Sequence, residues 1–286
     1  MTQIAPLQSL VLAVRQAARC EDRAIWEGIE KQAIAAKSDS AAPDRNGLWA
    51  VQTYAGAVSE YVGAYNTMRE GRYYEGWCQL ERAEIALHWI ALNPIESSIT
   101  AMAVDLTTTV ELWQSIFPYR LFASPSFRYK DWKCSICGVK STPLSPCGHT
   151  IGKVYDGELC IRTITDLEML EISLVRHPVQ KYSVMTPDDC EHDFSAVDYV
   201  LSLISGPFHR WSGAWTYKRH DHRHFSKHAP EAPCPCESKL RYGECCLLES
   251  GVRLRHFAMQ IEGPMPEAHN EVILRGGLRK KTSEGA

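Results

Sequence analysis

The residues best suited to chemistry in this 286-residue sequence are its 11 cysteines. Eight of them fall into two groups of four, whereas Cys20, Cys78 and Cys190 are isolated. The central group is Cys134, Cys137, Cys147 and Cys160, and the C-terminal group is Cys234, Cys236, Cys245 and Cys246. In a reducing compartment, clustered thiolates bind metal more often than they form disulfides. The grouping predicts two metal sites, and we expect two Zn²⁺ ions per chain.

The C-terminal group has the spacing Cys-x-Cys, eight residues, Cys-Cys. Structural zinc takes four ligands at the corners of a tetrahedron, with Zn–S distances of about 2.3 Å. A Cys-x-Cys pair and a vicinal pair, joined by a short loop, can supply all four ligands. Without a metal, four ionised thiols within 13 residues would repel one another. The spacing therefore predicts a closed zinc site.

This segment resembles the SEC-C motif, a small zinc-binding module found at the C-terminus of the SecA translocation ATPase and in many bacterial proteins. The usual pattern is Pro-Cys-Pro-Cys-Gly-Ser-Gly-Lys-Lys-Tyr-Lys-Lys-Cys-Cys, and the matching positions are Pro233, Cys234, Pro235, Cys236, Ser238, Arg241, Tyr242, Cys245 and Cys246. Glycine is usual at Glu237 and Lys239, and lysine is usual at Leu240, Gly243 and Glu244. The resemblance implies a zinc-held docking module. The missing lysines weaken the expectation of an acidic partner.

The central group begins with a zinc knuckle, in which Cys134-x-x-Cys137 is followed by glycine, and continues with Cys147, His149 and Cys160. Five side chains are thus available for four positions. We take Cys134, Cys137 and Cys160 as ligands. Either Cys147 or His149 is the fourth, and Cys147 is favoured. Four protein ligands indicate a structural site, because a catalytic zinc keeps one position for water. The region resembles a zinc ribbon or treble-clef element.

Residues 211–228 are aromatic, basic and rich in histidine. Four cations, Lys218, Arg219, Arg223 and Lys227, against Asp221 give a local charge of +3 before any histidine protonates. Aromatic rings beside basic side chains can stack on single-stranded bases. The candidate nucleic-acid-binding residues are Lys218, Arg219, His220, His222, Arg223 and His224.

The three histidines of this stretch have a second interpretation. If the stretch is a strand, His220, His222 and His224 share one face, where they can bind a metal or a phosphate. A third interpretation is a basic edge leading into a linker, with Trp211 and Trp215 in the core.

Composition and motifs argue against several classes of function. The net charge of −3 does not indicate a globally basic nucleic-acid binder. No segment has the roughly 18 uninterrupted apolar residues of a membrane span, and residues 1–12 do not have the pattern of a signal peptide. We therefore expect a cytosolic protein with no membrane partner. There is no Walker A motif, no Gly-x-Gly-x-x-Gly, no Gly-x-Ser-x-Gly, and no zinc-deaminase signature.

The elements that position these residues begin with helices. Apolar residues recur every three or four positions over 50–68, 77–90 and 99–117, which predicts three amphipathic helices. Gly71 predicts a turn, so the first two helices should form an antiparallel hairpin. We expect one or two more helices in the first 37 residues, and a loop at 38–47.

The second half predicts shorter elements. Residues 149–160 fit a β-hairpin with Asp156-Gly157 as its turn. A β-like run at 171–185, a short helix at 194–204 and a strand or hairpin at 209–225 follow, and 252–261 and 272–274 can add edge strands. The expected fold class is α+β, with a helical domain at 1–123, a zinc ribbon at 124–162, a small α/β unit at 163–229, a SEC-C-like zinc module at 230–250 and a tail at 251–286.

These features together predict a non-enzymatic binding or adaptor protein whose partner is a protein or a nucleic acid. Zinc would fold segments that are too small to be stable alone. The alternative is a metal-dependent hydrolase or nuclease that uses His220, His222 or His224. A third hypothesis is a subunit of a toxin–antitoxin or phage-defence complex.

Overall fold

A computed structural model describes residues 6–39, 42–129, 131–142, 144–265 and 277–281, so the strand expected at 272–274 lies outside the described residues. The fold is α+β, as expected, with five N-terminal helices followed by small antiparallel sheets. The chain divides into two compact units. Unit 1 is Met1–Ser115 with Tyr119–Thr186, and unit 2 is Ile116–Pro118 with Pro187–Ala286. The segment 163–229 contributes to both, and the five-part division stays a prediction.

The N-terminal helices are α1 Pro6–Gln16, α2 Arg23–Asp39, α3 Ala42–Arg69, α4 Tyr73–Leu92 and α5 Ser97–Ile116. The three predicted stripes lie on α3, α4 and α5, and their apolar side chains are buried. Tyr61, Leu80 and Trp113 have no solvent exposure at all. Each large apolar side chain that leaves water contributes about 1.5–3 kcal/mol. Burial of these stripes therefore stabilises the helices.

The structure tests two boundaries that the sequence predicts in the helical region. The turn predicted at Gly71 is confirmed: its φ is 77°, and its N–H donates to Met68 O over 3.0 Å. The loop predicted at 38–47 is wrong, because α2 continues to Asp39 and α3 begins at Ala42. Asp44 lies in the first turn of α3, where the helix dipole favours an acidic side chain.

The described residues of unit 1 also form seven short strands: β1 Phe122–Tyr129, β2 Trp132–Cys134, β3 Lys140–Ser141, β4 Val154–Tyr155, β5 Glu158–Leu159, β6 Arg162–Ile164 and β7 Leu167–Val175. Strand β1 pairs antiparallel with β7, and the register shifts between Ser126 and Phe127. Strand β2 lies between β3 and β6, and β4 pairs with β5 as the predicted hairpin. Cys134 ends β2, and Cys160 lies between β5 and β6, so these two small sheets position the central cysteine group.

Unit 2 contains β8 Cys190–Asp193, α6 Ser195–Leu203, β9 Trp211–His220, β10 Val252–Ile261 and β11 Gly277–Lys280. The helix predicted at 194–204 and the strand predicted at 252–261 are confirmed. Strands β9 and β10 form an antiparallel ribbon that pairs Trp211 with Ile261 at one end and His220 with Val252 at the other. Strand β8 pairs with β11.

Across the part of the chain that the structure describes, no helix combines the length and the apolarity needed to cross a membrane.

Candidate metal centres

The C-terminal cysteine group brings four sulfur atoms together. The Sγ···Sγ distances are 3.3 Å for Cys234–Cys236, 3.6 Å for Cys236–Cys245 and 4.0 Å for Cys245–Cys246. All four sulfurs lie within 4.8 Å of one another. A tetrahedral site with Zn–S distances of about 2.3 Å has an S···S edge of about 3.8 Å. The group therefore has the dimensions of a zinc site, and its sulfurs are much farther apart than the ~2.05 Å of a disulfide.

Short turns place these sulfurs. The Cys234 N–H donates to Leu240 O over 2.7 Å, which closes the loop between the two cysteine pairs. Single 3₁₀ turns at Tyr242–Glu244 and Cys246–Leu248 then carry the second pair. Because each turn reverses the chain within a few residues, two pairs that are separated in sequence meet at one point.

The loop between the pairs contains two residues in the left-handed region. Glu237 has a φ of 61° and Lys239 has a φ of 68°. Non-glycine residues are disfavoured there, because Cβ approaches the following carbonyl oxygen. Glycine would adopt both conformations without this cost, and it is usual at these two positions of the pattern that the segment resembles.

The C-terminal group has very little core besides its sulfurs. The buried residues are Cys234, Tyr242, Cys246 and Val252, with Phe225, Cys236, Cys245 and Leu254 packed against them. Four of these eight residues are the clustered cysteines. So small a core does not offset the conformational entropy of an ordered segment. Metal coordination would supply the stability that this small core lacks.

The central group places the donor atoms of Cys134, Cys137, Cys147 and His149 within 4.8 Å of one another. The Sγ of Cys160 lies 3.7 Å from the Sγ of Cys134, close to the tetrahedral edge of about 3.8 Å. Cys160, which the sequence predicted as a ligand, thus lies beside Cys134 but is not among the four residues whose donor atoms all lie within 4.8 Å of one another. From the sequence, Cys147 and His149 were alternatives for one ligand position, but both belong to the four residues whose donor atoms lie close together.

The zinc knuckle has the backbone geometry that its glycine predicts. Gly138 has a φ of 68°, and its N–H donates to Cys134 O over 2.9 Å. This turn directs the N–H groups of Ile136 and Cys137 at the Cys134 sulfur. Hydrogen bonds from backbone N–H groups stabilise a thiolate and prepare it for metal binding.

His149 has one ring nitrogen that could be satisfied by a metal at the central group. Its Nδ1 atom is buried and has no hydrogen-bond partner among the described residues. A buried polar atom without a partner is unfavourable, and a metal ion would satisfy it. A cavity of about 40 Å³ is lined by Cys134, Cys147, His149 and Cys160, among others. The residues present therefore fit a zinc ion.

The thiol pKa values of the C-terminal group differ widely. Burial opposes ionisation of Cys236, but its hydrogen bonds with Ser238 and Cys234 outweigh burial and lower the pKa of Cys236 to about 6. Burial and contacts with the neighbouring thiols raise the pKa of Cys246 to about 12. The Cys236 thiol therefore ionises readily, whereas burial and the neighbouring thiols oppose ionisation of Cys246.

The central group follows the same electrostatic logic. Burial opposes the thiolate of Cys134, but backbone N–H groups outweigh it and lower its pKa to about 7. Burial and the adjacent Cys134 raise the pKa of Cys160 to about 11. A divalent cation removes the repulsion between thiolates, so metal binding would release the remaining protons.

The β4–β5 hairpin, which joins His149 to Cys160, is anchored to the helices of unit 1. Its predicted Asp156-Gly157 turn is confirmed, with φ values of 50° and 79°. Lys37 Nζ donates to Gly157 O over 2.9 Å. Asn46 Oδ1 accepts from Gly157 N over 2.6 Å, and Arg45 pairs with Asp156. These contacts hold one end of the hairpin on α2 and α3.

Asn93, which caps α4, holds the other end of this segment. Its Nδ2 donates to Gly152 O over 2.8 Å and to Trp89 O over 2.9 Å. Its Oδ1 accepts from Val154 N over 3.1 Å. The central cysteine group is therefore part of the same compact unit as the helical bundle.

The expectation that His220, His222 and His224 share one strand face is wrong. Strand β9 ends at His220, and Asp221 then caps a 3₁₀ turn at His222–Phe225 by accepting from Arg223 N over 2.8 Å. The capping aspartate interrupts the alternation that a strand would have given. Neither metal-binding group found among the described residues includes any of these histidines.

The histidines have separate local roles. The His220 ring is buried beside His256, with ring centroids 6.3 Å apart. His222 has both ring nitrogens in hydrogen bonds, to Tyr242 OH at 2.6 Å and to Glu249 O at 2.9 Å. His222 is therefore hydrogen-bonded to residues on both sides of the Cys245–Cys246 pair.

Among the other candidates, Arg219 donates to Gly251 O over 2.9 Å and pairs with Glu249 at 3.2 Å. Lys218 is half-buried on β9, and His224 is exposed. Two residues that were not predicted lie beside this stretch: Arg253 and Arg255 on β10. Their Arg-x-Arg alternation in a predicted strand was the available signal.

Comparison of the chain with protein-family models, with curated proteins and with solved structures finds no match. Two clusters that can each hold a metal are shown, and no family is identified.

Proposed function

We propose that this chain is a zinc-stabilised, non-enzymatic binding or adaptor protein that docks onto a protein or nucleic-acid partner in a reducing compartment such as the cytosol. The observation that carries the proposal is that each cluster offers four protein donor atoms within 4.8 Å of one another. A catalytic zinc keeps one position for water, whereas a site with four protein ligands has none. The function then resides in the surfaces that the zinc ions stabilise.

The proposed ligands of the C-terminal zinc are Cys234, Cys236, Cys245 and Cys246. The proposed ligands of the central zinc are Cys134, Cys137, Cys147 and His149. The unpartnered Nδ1 of His149 supports the histidine as the fourth ligand. Cys160, at 3.7 Å from Cys134, is the alternative for that position. At both sites, the proposed role of the zinc is to stabilise the fold.

We also propose that residues 230–250 are a SEC-C-like module. The ligand spacing supports this, as do the positive φ angles of Glu237 and Lys239 at the pattern's two glycine positions. The resemblance implies docking and not chemistry, because in the SecA translocase the module contacts a chaperone and the ribosome.

Zinc removal from the full chain distinguishes a structural from a catalytic role. A thiol-reactive mercurial followed by a chelator should make residues 131–160 and 230–250 sensitive to limited proteolysis, and added zinc should restore resistance. Cys236→Ser should have the same effect on 230–250. Cys20→Ser is the matched control, because Cys20 belongs to neither cluster.

Two outcomes would contradict the proposal. Unchanged protease resistance after complete zinc removal would show that zinc does not stabilise these segments. A hydrolytic activity that disappears with zinc while the fold persists would indicate a catalytic metal.

A further inference from the structure

One face of the β9–β10 ribbon carries alternating aromatic and cationic side chains. Strand pairing places Arg255 opposite Tyr217 and Phe257 opposite Trp215. Trp215, Tyr217, Arg253 and Arg255 occupy alternate positions of their strands, and the opposed pairs align, so all four side chains share one face. This set is called the aromatic–arginine row.

The rings and guanidinium groups of the row stack on one another. The guanidinium carbon of Arg255 lies 4.3 Å from the centroid of the Trp215 ring, and that of Arg253 lies 4.3 Å from the centroid of the Tyr217 ring. These distances are typical of cation–π contacts. Stacking orients each guanidinium plane before a ligand arrives. Tyr217 keeps 62% of its surface exposed, so one ring remains accessible.

Two positive charges on this face, those of Arg253 and Arg255, are not neutralised by other described residues. Arg253 lies directly opposite Arg219, a like-charge pair that is unfavourable across two strands. Glu249 pairs with Arg219, and no carboxylate of the described chain forms a salt bridge with Arg253 or Arg255. The row therefore presents two arginines to which an anion can bind.

We propose that the aromatic–arginine row binds single-stranded nucleic acid, with phosphates on Arg253 and Arg255 and bases stacked on Tyr217 and on the outer guanidinium faces. This inference rests on the proposed function and specifies its partner. Arginine planes and aromatic rings both stack on unpaired bases, and arginine also pairs with phosphate. An acidic protein segment would use the charges and leave the rings unused, and a duplex hides its base faces.

The test uses the full zinc-loaded chain and a fluorescein-labelled mixed-sequence 12-nucleotide RNA, followed by anisotropy over a series of salt concentrations. We expect Tyr217→Ala to weaken binding by about 5- to 160-fold, the range for loss of one stacked base. We expect Arg253→Gln with Arg255→Gln to reduce the salt slope by about 1.4, or roughly 0.7 for each lost phosphate contact. Both changes are at exposed positions, so the fold should persist.

The matched controls are Tyr129→Ala and Arg128→Gln, which change an exposed tyrosine and an exposed arginine at the end of β1. Neither should alter affinity or salt slope. DNA of the same sequence should also bind, because the contacts use bases and phosphates. The corresponding RNA duplex and a poly-glutamate peptide should bind much more weakly.

Four results would overturn the inference: no binding of either single strand at low salt, equal losses in the control variants, equal affinity for the duplex, or equal affinity for poly-glutamate. Zinc content is measured on every preparation. A zinc-loaded, folded chain that binds no oligonucleotide refutes this inference and leaves the proposed function standing. A folded chain without zinc refutes the proposed function.

Discussion

Glu237 and Lys239 lie between the two C-terminal cysteine pairs with φ values of 61° and 68°. Both side chains are exposed. Replacing Glu237 by glycine therefore removes no packing, and its main effect is on the backbone. Glu244 provides a matched comparison, because the same substitution there falls within the 3₁₀ turn Tyr242–Glu244.

The two substitutions should change stability in opposite directions. A non-glycine residue in the left-handed region costs about 1–2 kcal/mol. Replacing Glu237 by glycine removes this cost. Part of the benefit is offset, because ordering a glycine on folding costs about 0.5–1 kcal/mol more in conformational entropy. Glu237→Gly should therefore stabilise the C-terminal group by about 0.5–1 kcal/mol. Glu244→Gly should destabilise it by a similar amount.

Zinc affinity reports this difference, because metal binding and folding of so small a segment are coupled. In competition with a chromophoric chelator, Glu237→Gly should hold the C-terminal zinc about two- to fivefold more tightly than the unmodified chain. Glu244→Gly should hold it less tightly by a similar factor. If both variants shift in the same direction, the left-handed conformation at Glu237 does not limit the stability of the group, and the reasoning fails.

Two further changes test the packing. Asn93→Ala removes three hydrogen bonds, at about 1 kcal/mol each, so it should lower the free energy of unfolding of unit 1 by about 3 kcal/mol. Asn66→Ala, at an exposed position of α3, should change it by under about 0.5 kcal/mol, and equal losses in urea unfolding would contradict the role of Asn93. Burial lowers the pKa of His220 and of His256 below the ordinary value of 6.5, so the folded state binds fewer protons than the unfolded state. The stability of unit 2 should be complete above about pH 6.5 and should fall below it, and His220→Leu should flatten this dependence; a parallel profile in the variant would refute the assignment.

Features encoded by local physics could be predicted from the sequence. The stripes on α3, α4 and α5 follow from the helical period, and the turn at Gly71 follows from the conformational freedom of glycine. The Asp156-Gly157 hairpin likewise follows from turn chemistry. The cysteine spacing predicted the two clusters, because Cys134 with Cys137, Cys234 with Cys236 and Cys245 with Cys246 each lie close together in sequence.

Features that depend on distant parts of the chain could not be predicted. The pairing of β1 with β7 joins residues that are 38 positions apart at Tyr129 and Leu167 and 53 apart at Phe122 and Val175, and nothing in either segment specifies the other. Of the interpretations of the histidine stretch, the shared strand face fails because Asp221 caps a turn, and a single aspartate does not distinguish a strand residue from a cap. Arg253 and Arg255 become part of a surface only through the register of β10 with β9.

Zinc content per chain, measured by mass spectrometry on protein purified without added metal, tests the central claim most directly. We expect two zinc ions in the unmodified chain and one in each of Cys137→Ser and Cys236→Ser. The double variant should contain none. A well-folded, unmodified chain that contains no zinc would contradict the account.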